Sequence, residues 1–333
     1  MKILVTGATG FIGFDLTRKL AGKKHDILCS VRKTSNVSKL RELGVSLAES
    51  DITDESSFQD LVASFRPDAV YHCAARVWDA DWERLFTDNV KGTSVVCRAC
   101  HEHGTEKFIY LSSVSVVSGN DAVPLTDDLE YKSSDAYGRS KAEAEKIVIS
   151  YREKGLKASI LRPCMVYGED EPHALDGIMK SIMSRKIPVL DVPQMDARLA
   201  LVYVGNVTDV LLLALDRDEA FEGTFMVADK EIISARKFVE IIADELGAKR
   251  PFRIPGWMVG AAKLLPPVRG KMSRLFKDRV YDISRMTDIL GYVPRVSTEE
   301  GLRRTARHWK DSRNEYVCDN TGSPLKSLPG QGT

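Results

Sequence analysis

The sequence carries almost no net charge. Its 48 lysines and arginines face 47 aspartates and glutamates, which leaves +1 at pH 7. A balance this close provides no electrostatic footprint for nucleic acid or for an anionic membrane, so neither is expected as a partner. Long apolar runs are missing too. A membrane-spanning helix needs about 18 consecutive apolar residues. The nearest approach, GWMVGAAKLLPP (256–267), is interrupted by Lys263 and ended by Pro266 and Pro267. That stretch reads as a packed helix and not as an integral span. Cysteine is sparse, at six in 333 residues. With an apolar strand beginning at Ile3 and no export segment ahead of it, these are expected to be reduced thiols of a cytoplasmic protein. CRACH (97–101) fits the spacing of a haem attachment site. However, Val95, Val96, Ala99 and Cys100 form one apolar helix face there, so the reading is helix cysteines with no metal or haem. There is no internal repeat. Low-complexity character is confined to the polar stretch from about 313 to 333, which is expected to be a disordered tail.

The opening, MKILVTGATGFIG, contains the informative pattern. Ile3, Leu4 and Val5 form a short apolar run, and Gly7, Gly10 and Gly13 follow at intervals of three. Phe11, Ile12, Leu16 and Leu20 then recur with helical period. A strand, a glycine turn and a helix in succession leave first-turn N–H groups and the positive dipole end open to a ligand. Glycine lets the backbone approach that ligand closely. The combination suits a pyrophosphate, and so a dinucleotide.

Further strands are expected at 25–31, 45–50, 68–75, 107–113 and 156–163, with helices between them at 54–66, 82–103 and 136–155. The helix at 54–66 aligns Phe58, Leu61, Val62 and Phe65 and is stopped by Pro67. Alternation of this kind implies a doubly wound α/β fold, a parallel sheet with helices on both faces. Ligands in such sheets sit at the carboxyl ends of the strands. Gly7 to Gly13, Arg32, Asp51, Ala74, Ser113 and Pro163 all fall there. Beyond 163 the pattern loosens. A strand runs into a helix over 199–215, a strand covers 224–228, and a helix covers 233–247 with Ser234 as its cap. The expected organisation is a nucleotide-binding domain of 1–165 with parts of 199–230. A smaller substrate lobe, 166–312, interleaves with it, and the tail follows.

Tyr137 and Lys141 stand four apart on a predicted helix and share one face. A free tyrosine has a pKa of about 10. A neighbouring ammonium favours the phenolate, so the pair can exchange a proton with a hydroxyl near neutral pH. Ser113, at the end of the fifth strand, can bond the same oxygen.

With these residues in view, the chain resembles the extended short-chain dehydrogenases/reductases. The motifs TGATGFIG, DITD (51–54), HCAA (72–75), NVKGT (89–93), LSS (111–113), YGRSK (137–141) and RPCMVYG (162–168) follow in the family order, and the likeness runs to about residue 310. The resemblance implies a Rossmann domain with a smaller C-terminal substrate lobe. It makes Tyr137 the general acid/base, with Lys141 holding the nicotinamide ribose and lowering the Tyr137 pKa. Ser113 would polarise the substrate oxygen, with Ser112 as its substitute, and Asn89 would be a structural or relay residue. Gly7, Thr9, Gly10, Phe11 and Ile12, with Gly13 behind them, would line the pyrophosphate. Asp51 and Ile52 would flank the adenine, and Ala74, Ala75, Pro163 and Val166 would contact the nicotinamide half. Many relatives carry a glycine five residues after the catalytic serine. Here Gly119 lies six after Ser113, which brings in Ser115. A homodimer through the helices near 82–103 and 137–154 is also implied.

Two features bear on substrate and cofactor. Sugar-nucleotide members often carry an asparagine at the place of Met165 and an arginine at the place of Leu199, with Arg198 one position off. VYVGNV (202–207) resembles the hydroxysteroid dehydrogenase branch, and VRKTSNVSK resembles dihydroflavonol-4-reductase-like enzymes. The expected function is hydride transfer between a nicotinamide cofactor and a small-molecule secondary alcohol or ketone on a largely apolar skeleton. Val77, Trp78, Met165 and Val202 would offer it an apolar surface, with His173 nearby. A nucleotide-sugar epimerase/dehydratase and a non-enzymatic nucleotide sensor are the alternatives. NAD enzymes place an acidic residue at the end of the second strand. Arg32 and Lys33 stand there instead, with Lys39 beyond. Cations suit a 2′-phosphate, so NADP(H) is expected, with NAD(H) as the alternative.

Overall fold

The computed structural model describes the chain except for residues 78, 173, 185–188, 192–195, 249–252, 256–277 and 318–333. Seven parallel strands form the main sheet. They are β1 (Lys2–Thr6), β2 (Asp26–Val31), β3 (Ser46–Glu49), β4 (Ala69–His72), β5 (Lys107–Leu111), β6 (Lys157–Pro163) and β10 (Thr224–Val227), in the order β10-β6-β5-β4-β1-β2-β3. The order reverses between β1 and β4, and that reversal opens the crevice where such sheets bind ligands.

Strand alternation divides the core into two layers. Ile3 and Val5 face one side, with Leu16 of α1 (Phe11–Ala21) and Leu211 of α8 (Val204–Leu215). Leu4 faces the other. There it joins Phe58 and Val62 of α3 (Glu55–Phe65), Val96 and Cys100 of α5 (Gly92–Glu102), and Val148 of α6 (Ala136–Glu153). Cys97 and Cys100 are buried in this layer. Short α2 (Ser38–Glu42) links β2 to β3.

Three elements differ from the sequence expectation. The helix expected over 82–103 is α4 (Trp82–Leu85), then a π-helical segment (Phe86–Lys91), then α5. The wider turn carries Asn89, whose side chain bonds the backbone N–H and carbonyl of Arg76 at 2.7 and 3.0 Å. Such π segments recur at functional sites. The fifth strand stops at Leu111, because Ser113 turns out of the sheet to cap a 3₁₀ turn (Val114–Val117).

The third difference lies at the C-terminal end. A smaller sheet, ordered β11-β9-β7, is built from β7 (Met165–Tyr167), β9 (Arg198–Tyr203) and β11 (Ile232–Ser234). A further pair joins β8 (Val189–Asp191) to β12 (Arg253–Pro255). Around these lie α7 (Ala174–Met183), α9 (Ala235–Leu246), α10 (Ser284–Leu290) and α11 (Thr298–Val317). Ser234 caps α9 by accepting from the Lys237 N–H. Tyr167, Met179, Ile242 and Leu302 form the core of this part. Because α11 continues to Val317, the tail expected from about 313 begins inside a helix. The helix expected at 256–267 lies outside the described residues, as do Trp78 and His173. Among the described residues no helix is long and apolar enough to cross a membrane.

Candidate active site

The glycine turn is built to touch its neighbours. Gly7 has φ +73°, and a Cβ there would lie 2.5 Å from the Ala74 nitrogen. A Cβ on Gly13 would lie 2.2 Å from the Gly7 carbonyl oxygen. Only glycine permits both contacts. Gly10 caps α1 without a side-chain hydrogen bond, and no acidic residue stands in the first turn. The first-turn N–H groups therefore remain available to an anion.

The crevice above this turn is a cleft of about 340 Å³. Gly7, Thr9 and Gly10 border it at the α1 end, Arg32, Asp51 and Ile52 beside β2 and β3, and Ala74 and Ala75 after β4. Arg32 is exposed and makes no ion pair among the described residues, and its N–H bonds the Ser35 hydroxyl. An open helix end, a glycine cradle and a free guanidinium fit the pyrophosphate and ribose of a dinucleotide. Sequence reasoning missed Ser35, Thr53, Cys73, Arg76 and Asp88, which also border the cleft. Arg76 pairs with Asp88 at 2.8 Å. Position just after a strand end could have flagged Ser35, Thr53, Cys73 and Arg76, whereas Asp88 reaches the cleft from the π-helical segment.

Six expected contacts are redirected. The Phe11, Ile12 and Val166 side chains pack against the cores, which leaves only the backbone N–H groups of the first two for a phosphate. Lys39 Nζ bonds Asp170 Oδ2 at 2.6 Å, and Asp170 also bonds His308. The Lys39 ammonium is thus engaged away from the cleft. Pro163 is buried at the end of β6. Val202, expected on the substrate surface, is fully buried because its side of β9 faces the main core.

Ser113 lies beside Tyr137, and Lys141 follows Tyr137 by one turn of α6 with its ammonium on the Leu111 carbonyl. Asp135 caps α6 through the Gly138 N–H, which sets Tyr137 in the first turn. A Cβ on Gly138 would lie 2.4 Å from the Ser115 carbonyl oxygen, so this glycine allows α6 to press against the loop carrying Ser113. The Ser113 hydroxyl lies close enough to Tyr137 to pull its pKa down, and it donates to the Ser115 hydroxyl at 3.1 Å. Ser112 is excluded as a substitute, since it is buried and donates to Glu145 Oε1. Glu145 in turn is paired with buried Arg162.

The electrostatics depart from the implied picture. Burial pushes the Tyr137 hydroxyl up to about 12, the Ser113 bond opposes the rise, and Asp135 adds to it. Lys141 is 1% exposed and donates to the Leu111 carbonyl at 2.7 Å. Burial brings its own pKa down to about 7, against the pull of Glu145 and Cys73. Tyr137 is therefore a protonated phenol at neutral pH in this arrangement, a proton donor rather than a ready base.

The model of the NAD dependent epimerase/dehydratase family matches residues 3–228. The chain belongs to this family. Among relatives of this epimerase/dehydratase family member, UDP-glucose 4-epimerase of Vibrio cholerae is 28% identical over 94% of this chain and 97% of its own length. A 3 beta-hydroxysteroid dehydrogenase/Delta 5-->4-isomerase of Mycobacterium tuberculosis is 27% identical over 98% and 96%. The solved UDP-glucose 4-epimerase of Thermotoga maritima superposes with a TM-score of 0.77 at 24% identity, covering 94% of this chain and all of that one. The family member described here is an enzyme of the extended short-chain dehydrogenase/reductase type, with a nicotinamide dinucleotide cofactor and a small-molecule substrate.

Proposed function

We propose that the protein is an NADP(H)-dependent reductase or dehydrogenase acting on a ketone or secondary alcohol carried by a largely apolar skeleton. The observation that carries this reading is the fate of the two residues beside the expected diphosphate position. Leu199 packs against the apolar core of the smaller part, and Arg198 is tied to Asp278 through its backbone N–H at 2.8 Å and its Nε at 2.9 Å. Burying a diphosphate without cationic partners is costly. Met165 and Val77 are exposed apolar residues, and Val77 borders the cleft. The similarity to a hydroxysteroid dehydrogenase supports the same class, and the similarity to a nucleotide-sugar epimerase supports the alternative.

When bound, the nicotinamide supplies or accepts the hydride. Tyr137 gives its proton to the carbonyl oxygen as that oxygen becomes an alkoxide, and Ser113 bonds the same oxygen. Lys141 lies one helical turn away, and its pKa of about 7 leaves its ammonium only partly populated at neutral pH. Arg32 and Ser35 hold the 2′-phosphate. The NADP(H) preference is supported by Arg32, which makes no ion pair among the described residues, and by the lack of an acidic residue at the end of β2.

The test is a panel of steroid ketones, flavanonols, aryl ketones and UDP- or dTDP-sugars, each with NADPH and NADH. Cofactor absorbance is followed and products are analysed for epimers. Apolar ketones with NADPH are the expected substrates. Arg32→Ala should lower kcat/KM for NADPH by about 10–100-fold, the worth of a charge-assisted contact, and spare NADH. Turnover of a nucleotide sugar with no ketone accepted overturns the reading in favour of the epimerase. Preference of the wild type for NADH removes the cofactor assignment.

A further inference from the structure

His72 ends β4, is fully buried, and has no role in the chemistry above. Its ring lies between two threonines, with Nδ1 2.7 Å from Thr6 Oγ1 and Nε2 2.9 Å from Thr93 Oγ1. The direction of these bonds follows from their other partners. Thr93 Oγ1 is 2.6 Å from the Asn89 carbonyl oxygen, which only accepts, so the Thr93 proton is committed there. Thr93 must then accept from His72, and His72 carries its proton on Nε2. Nδ1 is left as an acceptor, so Thr6 donates to it. Thr6 Oγ1 is itself 3.3 Å from the Ala74 N–H. Burial, with the charge of Lys141 adding, brings the His72 pKa down to about 3, which agrees with a neutral ring.

The chain continues past Thr93. Asn89 Nδ2 donates to Ser140 Oγ at 2.9 Å, and Ser140 Oγ donates to the Tyr137 carbonyl at 2.7 Å. One end of this polar line is the backbone of Ala74, which borders the cofactor cleft and packs on Gly7. The other end is the first turn of α6. We propose that His72 is a positioning residue, setting the Tyr137 turn at a fixed distance from the cofactor cleft through Thr93, Asn89 and Ser140. This rests on the assignment of Tyr137 as proton donor. Reaching the substrate oxygen requires that distance to be held closely, since a misplacement of about 1 Å can cost about 100-fold in rate.

The two ends of the ring can be separated by substitution. His72→Gln retains a donor near the Nε2 position, so it keeps the link to Thr93. His72→Asn retains an acceptor near Nδ1 for Thr6 and loses the donor. Thr93→Val removes the link while keeping volume. Tyrosine labelled with ¹³C at Cζ reports on Tyr137 without turnover, its resonance assigned with Tyr137→Phe. In Thr93→Val and His72→Asn that resonance should move, and kcat for the accepted substrate should fall by about 10–100-fold with cofactor KM little changed. His72→Gln should leave the resonance in place and restore most of kcat. The proposal is overturned if the resonance is unmoved in Thr93→Val. It is also overturned if His72→Gln and His72→Asn lose kcat equally and in step with melting temperature, which a buried ring that only fills space would produce. Retained activity in Tyr137→Phe would instead remove the proton-donor assignment, and the resonance shifts would still report the coupling.

Discussion

Arg162 grips the carboxylate of Glu145 along its edge, Nη2 to Oε2 at 2.6 Å and Nε to Oε1 at 2.9 Å, with both side chains buried. Glu145 lies one turn beyond Lys141 on α6 and also accepts from Ser112 and from the Tyr131 hydroxyl. The pair therefore ties β6 and the end of β5 to the catalytic helix. Removing one partner of a buried pair leaves the other charge uncompensated, at a cost of about 3–5 kcal/mol. Glu145→Ala should lose that much stability in urea unfolding, and Glu145→Gln distinctly less. A loss under about 1 kcal/mol would show that water or a neighbour replaces the carboxylate.

Lys141 should make the protein's stability depend on pH. Its folded pKa is about 7, against 10.5 in the unfolded chain. Between those values the unfolded chain binds more protons, so stability from this group rises with pH across the window, and the penalty is complete below 7. Lys141→Met should therefore stabilise the protein at pH 7 by about 1–4 kcal/mol while impairing turnover. The gain should shrink toward pH 10. A gain independent of pH would show that the ammonium is solvated.

Asp127 carries the opposite sign. Burial raises its carboxyl to about 6 from 3.8, while the Met226 N–H, Arg162 and Arg285 oppose the rise and Asp282 adds to it. The folded protein binds more protons between those values, so stability from this group is full below pH 3.8 and is lost as pH rises through 6. Asp127→Asn keeps an acceptor for the Met226 N–H, which sits 2.6 Å from Oδ1. It should stabilise the protein by about 1–3 kcal/mol at pH 8 and by little at pH 4. Equal effects at both pH values would place the carboxylate in water.

Gly13→Ala tests the turn. Its new Cβ would press on the Gly7 carbonyl, backbone that cannot rotate aside. Overpacking of this kind costs about 1–3 kcal/mol. Cofactor affinity by fluorescence titration should fall about 10-fold or more with it. Unchanged affinity would mean that the turn can open without harm to the phosphate site.

The sequence by itself determined what is local. Apolar periodicity located the strands, helices and strand ends, because the backbone's two- and 3.6-residue repeats are written directly into side-chain order. The glycine turn and the pairing of Tyr137 with Lys141 on one face are local for the same reason, as is the Ser234 cap. Tertiary structure decided what depends on segments far apart in the chain. Lys39 is drawn to Asp170, 131 residues away, and Arg198 to Asp278, 80 residues away. Ser112 turns inward to Glu145 while Ser113 turns out of the sheet to cap the turn at Ser115, a choice no spacing in LSSVS contains. Burial raises the Tyr137 pKa, where a lowering was expected, and lowers that of Lys141, since desolvation depends on everything packed around a group and not on its neighbours in sequence. His72 could be read from HCAA only as a buried residue, and its partners come from β1 and α5. The pattern of the chain placed the site's residues at the strand ends. Packing set which of them meet and which carry a proton.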